Sequence, residues 1–232
     1  VVVLNIGGVI ETESWKAQPD AILLAWQGGQ EGGNSVADIL SGKVSPSGKL
    51  PVTFPVNVND HASNKNFPQE GVPMKLTDML FAKEVPEKDR VRNTDYTAYE
   101  EGIYVGYRHF DKAKLKVSYP FGFGLSYTGF EYGNMNAVAV NDTIRVTLTI
   151  RNSGAYAGKE VVQVYVSKPN STIDRPEQEL KEFIKTKTLA PKESQELVFQ
   201  IPVSELRYWD EGKHAWTLEN GLYSIRVGSS SR

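Results

Sequence analysis

The sequence predicts an α/β unit followed by an antiparallel β-sandwich. Residues 1–55 alternate short apolar runs with amphipathic segments, which is typical of strands and helices in a mostly parallel sheet. From about Tyr119 onward, short alternating runs are separated by turn residues, as in a sandwich of antiparallel strands. We expect no helix of useful length after residue 130. The chain therefore combines an α/β part with an all-β part.

The first part contains alternating predicted strands and helices. The runs 1–6 and 21–26 are apolar in the way of strands that are buried on both faces of a parallel sheet. A helix at 35–41 has Asn34 as its expected N-cap and Gly42 as the residue that ends it in the left-handed conformation. The other predicted elements are a helix starting near Thr12 or Ser14 and a strand at 50–54.

A long polar connection follows the first part. Residues 56–98 are rich in Asn, Asp, Lys and Pro and are weakly periodic, which indicates a segment lying on a surface. After Tyr99, the residues Ile103, Val105 and Tyr107 occupy alternate positions, which predicts a strand or an extended arm up to Asp111. We therefore divide the chain into a partial α/β domain (1–58), a linker and wrapping arm (59–118) and a β-sandwich domain (119–232).

Regular alternation assigns the core of the sandwich. Four apolar residues share one side of a predicted strand, and polar residues occupy its other side. These apolar residues are Ile144, Val146, Leu148 and Ile150. The same period recurs at Val162, Val164 and Val166, at Leu197, Phe199 and Ile201, and at Tyr223, Ile225 and Val227. We expect these side chains to pack between the two sheets.

Composition and charge exclude several classes of function. The 232 residues carry a formal net charge of −2, so a nucleic-acid partner is not expected. No apolar stretch reaches the roughly 18 residues that a membrane span requires. The chain has no cysteine, and His61, His109 and His214 lack ligand spacing, so we expect no metal site. Neutral partners such as sugars are compatible with this composition.

Four stretches of the chain carry distinctive sequence words. They are GGQEGGNSVADILSGKVSPSGKLPVTFP at 28–55, YEEGIYVGYRHFD at 99–111, YPFGFGLSYTGFEY at 119–132, and GKEVVQVYVSKP followed by RPEQELKEFIKTKTL at 158–189. In this order, they resemble glycoside hydrolase family 3, which contains β-glucosidases, β-xylosidases and related exo-acting enzymes. The resemblance implies the C-terminal half of a three-layer α/β sandwich in residues 1–58 and a fibronectin type III-like domain in residues 119–232.

The resemblance also implies a retaining, exo-acting, β-glucosidase-like parent enzyme that needs no cofactor. In this family the nucleophile is an Asp of an N-terminal barrel, and the acid/base of the β-glucosidase branch is a Glu in a Glu-Gly-x-Asp-Arg type motif. Neither the barrel nor the motif occurs in these 232 residues, so we expect no catalytic residue in this chain and no hydrolysis by it alone. Because Val1 already lies in an apolar run, we interpret the chain as a fragment.

The expected partners follow from the same resemblance. They are a carbohydrate substrate, reached through the parent enzyme, the N-terminal barrel, and the first half of the α/β domain. Family members are often exported, which favours a periplasmic or secreted location.

Gln30 and Glu31 are the candidate residues near a substrate. They follow the second predicted strand, at the carboxyl edge where open α/β sheets bind ligands. Under one interpretation they lie in the second layer around a sugar pocket; under the other, Glu31 holds backbone amides of the Gly-rich turn and of the helix start. Other carboxylates near turns have ordinary roles as solvated charges. They are Glu11, Glu13, Glu100 and Glu101.

Aromatic residues are dense between positions 96 and 132. We expect them to form the seam between the two parts of the chain, since large amphipathic rings suit such interfaces. The alternative is a surface on which sugar rings stack, and Trp209 with Trp216 could form a similar platform around a turn. These features support the rival interpretation of the whole chain as a non-catalytic carbohydrate-binding or structural module.

Overall fold

A computed structural model describes residues 1–66 and 98–232. The first part contains β1 (Val2–Leu4), β2 (Ile22–Leu24), α1 (Gly32–Leu40), β3 (Phe54–Pro55), short 3₁₀ turns at Val58–Asp60 and Ala62–Lys65, α2 (Tyr107–Lys112) and β4 (Val117–Tyr119). The second part contains β5 (Phe130–Val140), β6 (Thr143–Asn152), β7 (Val161–Ser167), β8 (Glu179–Lys185), β9 (Ser194–Pro202), a 3₁₀ turn at Val203–Leu206, β10 (Tyr208–Asp210), β11 (Ala215–Thr217) and β12 (Ser224–Gly228).

Strands β1 and β2 pair in parallel, as the apolar runs predict. They are shorter than the predicted runs, and the described residues leave them half-buried to exposed, with Val3 exposed. The prediction that both faces of these strands are buried is therefore wrong within the described residues. Covering both faces of a parallel pair requires neighbouring layers that these residues do not supply.

Helix α1 starts earlier than predicted, at Gly32. Its N-terminal flanking residue is Glu31, so the expected N-cap role of Asn34 is wrong; Asn34 lies inside the helix and its Nδ2 donates to Glu31 Oε2 at 2.7 Å. The end of the helix is predicted correctly. Gly42 has a φ of +76°, and its N–H donates to the carbonyl of Ile39.

The helix predicted near Thr12 is only a turn. The N–H groups of Trp15 and Lys16 donate to the Thr12 carbonyl oxygen, and the Gln18 N–H donates to that of Trp15, but these turns do not continue into a helix. Pro19 follows and disfavours the helical conformation of the residue before it. The Thr12 hydroxyl instead bonds the hydroxyl of Ser118 in β4, at 2.7 Å. This buried contact ties the turn to the far end of the connection.

The strand predicted at 50–54 is reduced to a two-residue pairing. Phe54 and Pro55 pair with β4 in the antiparallel direction. Pro51 and Pro55 have no N–H to donate, which limits the ladder. Leu50 forms its backbone hydrogen bonds with Gly122 and Phe123 instead.

The predicted extended arm is wrong at its end, where the chain forms helix α2. The helix starts after Gly106, whose φ is +55°, and it buries Phe110. Ile103 and Val105, whose alternation suggested a strand, are exposed. The alternation therefore did not mark a buried face, and burial of Phe110 decided the local conformation.

The second part is a β-sandwich, as predicted. One sheet has the order β5-β6-β9 and the other the order β12-β7-β8, with antiparallel pairing throughout. Apolar side chains from the facing strands form the core between the sheets. The buried members are Val146, Leu148, Ile150, Val162, Val164, Val166, Leu189, Leu197, Phe199, Ile201 and Leu206. Ile144, Tyr223, Ile225 and Val227 pack at its margin.

The outer face of β7 is covered by the connection. Gln163 and Tyr165 alternate with the core valines, yet both are buried. Gln163 Nε2 donates to the Gly122 carbonyl at 3.1 Å, and the Tyr165 ring meets the Tyr107 ring edge-on at 6.0 Å. Helix α2 and the loop after β4 thus form a layer on the sandwich, so the α/β part and the sandwich share one packed seam.

Candidate functional site

The candidate site lies where β1 and β2 end. Both strands run in the same direction, so the loops that follow them meet at one edge. The Ala25 N–H donates to the Leu4 carbonyl and extends the pairing to the loop. At Gly7, a Cβ would lie 2.8 Å from Nε2 of Gln27, so the two loops touch.

The loop after β2 is tightly folded. Trp26 adopts a φ of 51°, which is uncommon for a bulky residue. At Gly28, a Cβ would lie 2.8 Å from the Gly32 Cα, so only glycine fits without a shift. The loop therefore depends on glycine to bring the start of α1 close to the end of β2.

Gln30 and Glu31 are both exposed at this edge. The Glu31 side chain makes no hydrogen bond to the helix N–H groups; its carboxylate accepts from Asn34 instead. The interpretation in which Glu31 holds backbone amides is therefore wrong. The position of both side chains next to the strand ends is compatible with a place near a ligand, and their role there stays a prediction.

The other candidate carboxylates mostly have structural contacts. Glu11 Oε1 accepts from the Val58 N–H at 2.7 Å, and Glu13 pairs with Lys16 at 2.6 Å, which lowers the pKa of Glu13. Glu100 accepts from Asn66. Glu101 keeps one buried oxygen without a hydrogen-bond partner among the described residues.

The aromatic seam that the sequence predicts is present. Trp26 contacts Phe54, Phe54 contacts Tyr119, and Tyr119 stacks on Phe123 at 5.2 Å. Tyr107 stacks on Phe121 at 4.9 Å. These rings join the candidate site to the sandwich, whereas Tyr99 is exposed and Tyr96 lies outside the described residues.

Two histidines that are distant in sequence meet around Phe110. The rings of His61 and His109 contact the Phe110 ring at 5.3 and 5.4 Å. Because a carbonyl can only accept, His109 Nε2 donates to the Asp60 carbonyl at 2.9 Å. Burial, with His109 as a neighbour, lowers the pKa of His61. Within the described ranges, no group of three His, Cys, Asp or Glu could hold a metal ion.

Trp209 and Trp216 face each other across the β10–β11 hairpin. They are direct cross-strand partners, with ring centroids 5.8 Å apart and planes at 72°. They remain 49% and 64% exposed. The two rings therefore pack against each other across the hairpin, and much of the surface of each ring remains exposed to solvent.

Sequence reasoning missed a buried ion pair that joins the two parts. Lys49 Nζ lies 2.8 Å from Glu160 Oε1 and donates to the Gly124 carbonyl as well. Lys49 precedes β3, and Glu160 precedes β7. Their separation in the chain left no local signal that could have revealed the contact.

Comparison with known proteins matches this two-part architecture. The model of the glycosyl hydrolase family 3 C-terminal domain matches residues 1–107, and that of a fibronectin type III-like domain matches residues 160–231. The protein is thus an α/β unit joined to a fibronectin type III-like β-sandwich. The chain belongs to glycoside hydrolase family 3 and corresponds to the C-terminal part of its members.

Relatives resemble the chain over its whole length. Beta-glucosidase B of Emericella nidulans is 39% identical over 100% of this chain and 26% of the relative, and a beta-glucosidase of Ruminococcus albus is 37% identical over 100% and 23%. The solved structure of beta-glucosidase 3B from Thermotoga neapolitana in complex with glucose superimposes with a TM-score of 0.83, at 45% identity over 100% of this chain and 29% of that one. The chain thus spans about a quarter of the length of the curated relatives it matches.

No helix in residues 1–66 or 98–232 has the length and apolar character needed to cross a membrane.

Proposed function

We propose that the chain is the C-terminal part of a retaining, exo-acting β-glucosidase, which removes sugars from the non-reducing ends of β-glucosides or oligosaccharides. The observation that carries this proposal is the match of the entire chain to proteins named as beta-glucosidases, in sequence and in structure. The parent enzyme would hydrolyse glycosides through a covalent glycosyl-enzyme intermediate, without a cofactor.

We also propose that these residues alone do not hydrolyse glycosides. Glycoside hydrolysis needs two carboxyl groups on either side of the scissile bond. At the carboxyl edge, Glu31 is exposed and bonded to Asn34. Asp111, which lines a cleft elsewhere, is held by Arg232 and Gln178. Both carboxylates thus have hydrogen-bond partners within the described part of the chain.

In the parent enzyme, the carboxyl edge of β1 and β2 would face the substrate-binding region. Gln30 and Glu31 would then support the wall of the sugar pocket from its second layer, without contacting the bond that is cleaved. The aromatic seam and the Lys49–Glu160 pair would keep this edge in a fixed position relative to the sandwich.

Hydrolysis of p-nitrophenyl β-glucoside tests both proposals, with intact mass identifying the species present. The 232-residue chain should give no turnover, and the full product of the gene should release nitrophenol. Turnover by the isolated chain would contradict its proposed inactivity. A full gene product that cleaves neither this substrate nor cello-oligosaccharides would contradict the β-glucosidase assignment.

The exposed tryptophan pair favours one other candidate function, a non-catalytic carbohydrate-binding module. Open indole rings are costly to leave in water and are common anchors in binding sites. In that case the chain would bind cello-oligosaccharides in a titration followed by tryptophan fluorescence, and Trp216→Ala would abolish the binding. A full gene product that binds sugars without cleaving them would favour this candidate over the enzyme.

A further inference from the structure

The loop between β11 and β12 contains the one Asn-Gly sequence of the chain, Asn220-Gly221. An asparagine followed by glycine is prone to lose ammonia, because the glycine carries no side chain that would obstruct attack by its own nitrogen on the asparagine amide. Both residues are exposed, and Gly221 has a φ of +122°, which other residues rarely adopt. The local backbone therefore favours the residue type that leaves Asn220 open to attack.

The two groups that would react are free of competing hydrogen bonds. Within residues 1–66 and 98–232, no hydrogen bond engages the Asn220 side chain or the Gly221 N–H. A group that is held by a hydrogen bond must give up that bond before it can react, and this loss raises the barrier. The reaction at Asn220 thus requires no hydrogen bond of the fold to break.

The residues on both sides of this pair are held in place. The Glu219 carboxylate accepts from the Thr172 N–H and from the Ser171 hydroxyl, each at 2.7 Å. The Tyr223 hydroxyl donates to the Glu219 carbonyl, also at 2.7 Å. Asn220-Gly221 therefore lies in a short, unbonded segment between anchored residues, and the reaction can take place without unfolding of the sandwich.

A lysine from the end of β7 lies beside the Asn-Gly sequence. A Cβ at Gly221 would lie 3.0 Å from Lys168 Nζ, so the ammonium group occupies the space next to this glycine. The same Nζ lies 5.4 Å from the centroid of the Tyr223 ring. A positive charge here favours loss of the Gly221 N–H proton and stabilises the negative charge that develops on the Asn220 carbonyl oxygen during attack.

We propose that Asn220 is a site of spontaneous deamidation in the folded protein, promoted by the charge of Lys168. The Gly221 nitrogen loses its proton and bonds to Cγ of Asn220, and the side-chain nitrogen leaves with that proton as ammonia, which closes a succinimide ring. Water then opens the ring at either carbonyl and leaves aspartate or isoaspartate at this position. This proposal is independent of the β-glucosidase assignment.

The three Asn-Ser sequences of the chain are the next candidates, and the structure makes them poorer ones. They begin at Asn34, Asn152 and Asn170. The N–H groups of Ser35 and Ser153 donate to backbone carbonyls at 3.0 and 2.9 Å, and Asn152 is also fully buried. Asn170 is exposed, but the residue after it carries a side chain that obstructs attack. Deamidation should therefore occur first at Asn220.

Peptide mapping by mass spectrometry tests the proposal. The 232-residue chain is incubated under folding conditions at mildly alkaline pH, and a second sample is incubated in urea. In the folded sample, the peptide that contains Asn220 should gain the mass of an amide converted to a carboxylic acid, and isoaspartate should be detected in it. An unmodified Asn220, or conversion at Asn34 or Asn152 before Asn220, would overturn the proposal.

Two variants separate the local sequence from the effect of the fold. Gly221→Ala should slow the reaction severalfold in both samples, because a side chain then obstructs the attack. Lys168→Gln should slow it about threefold in the folded sample alone, which is the effect of one charge at a partly exposed position.

The matched control is Lys43→Gln, which removes the same charge from the exposed pair with Asp38 and should leave the rate at Asn220 unchanged. Equal rates for folded Lys168→Gln and folded wild type would overturn the assigned role of Lys168. An undiminished rate in Gly221→Ala would overturn attack by the Gly221 nitrogen.

Discussion

Lys49 and Glu160 form a buried ion pair across the seam between the α/β part and the sandwich. The Nζ and Oε1 atoms lie 2.8 Å apart, and the side chains are 11% and 10% exposed. Glu160 Oε1 also accepts from the Val161 N–H, and Lys49 Nζ also donates to the Gly124 carbonyl. These extra hydrogen bonds offset part of the cost of burying two charges.

Removal of one partner should therefore be costly. Lys49→Met should lower the free energy of unfolding by about 3 kcal/mol, since it leaves a buried carboxylate without its counter-charge. Urea unfolding measures the change. The matched control is Lys43→Met, which breaks the exposed Lys43–Asp38 pair and should cost less than about 0.5 kcal/mol. Equal losses of unfolding free energy in the two variants would show that the Lys49–Glu160 pair stabilises the fold no more than an exposed pair does.

The close approach of Gly124 to the segment before β3 gives a second prediction. A Cβ at Gly124 would lie 2.3 Å from the backbone oxygen of Gly48, which cannot move aside as a side chain could. Gly124→Ala should thus lower the free energy of unfolding by about 2 kcal/mol. Gly133→Ala, where a Cβ would meet nothing within 4 Å, should be nearly neutral in the same thermal or urea unfolding series. A neutral Gly124→Ala would contradict the tight seam.

A third prediction concerns the hydroxyl group of Tyr107. It accepts a hydrogen bond from the Leu180 N–H at 2.8 Å and so joins α2 to β8. Tyr107→Phe should cost about 1 kcal/mol in urea unfolding, because the amide loses its partner. Tyr99→Phe removes a hydroxyl from a residue that is 86% exposed and should have no measurable effect. Equal stabilities of the two variants would contradict the expected contribution of the hydrogen bond that joins α2 to β8.

Glu219 gives a prediction that depends on pH. The carboxylate accepts from the Thr172 N–H and from the Ser171 hydroxyl, and these hydrogen bonds lower the pKa of Glu219 to about 2. A lowered pKa stabilises the fold above the unfolded value of 4.5, and this stabilisation is lost as the pH falls toward 2. Glu219→Gln should thus be less stable than the wild type at pH 7, and the difference should vanish near pH 2.

Urea midpoints at pH 7, pH 4 and pH 2 test the Glu219 prediction. Glu196→Gln, at an exposed position of β9, serves as the control and should change the midpoint little at each pH. A difference between Glu219→Gln and wild type that stayed constant over this range would contradict the proposed role of the carboxylate charge.

The sequence predicts where the candidate site lies, but it does not predict which contacts the side chains of the site make. The position of Gln30 and Glu31 after a strand follows from the apolar run and the glycines, which are local signals. The bond from Asn34 to Glu31 does not follow from them, because a helix start that shifts by a few residues changes which side chain is a cap. The extended arm predicted for the segment that forms α2 was also wrong. There, burial of Phe110 by residues distant in the chain outweighs a short alternating pattern.

The sequence alone determined the sandwich, its core and the parallel pairing of β1 with β2. Alternation with period two assigns side chains to a face wherever that face is buried, as at Val146, Leu148 and Ile150. The tertiary structure decided which distant groups meet: Lys49 with Glu160, Gly124 with Gly48, and Asp111 with Arg232. Such contacts join segments far apart in the chain, so no spacing in the sequence encodes them, and only the packing of the complete fold selects them.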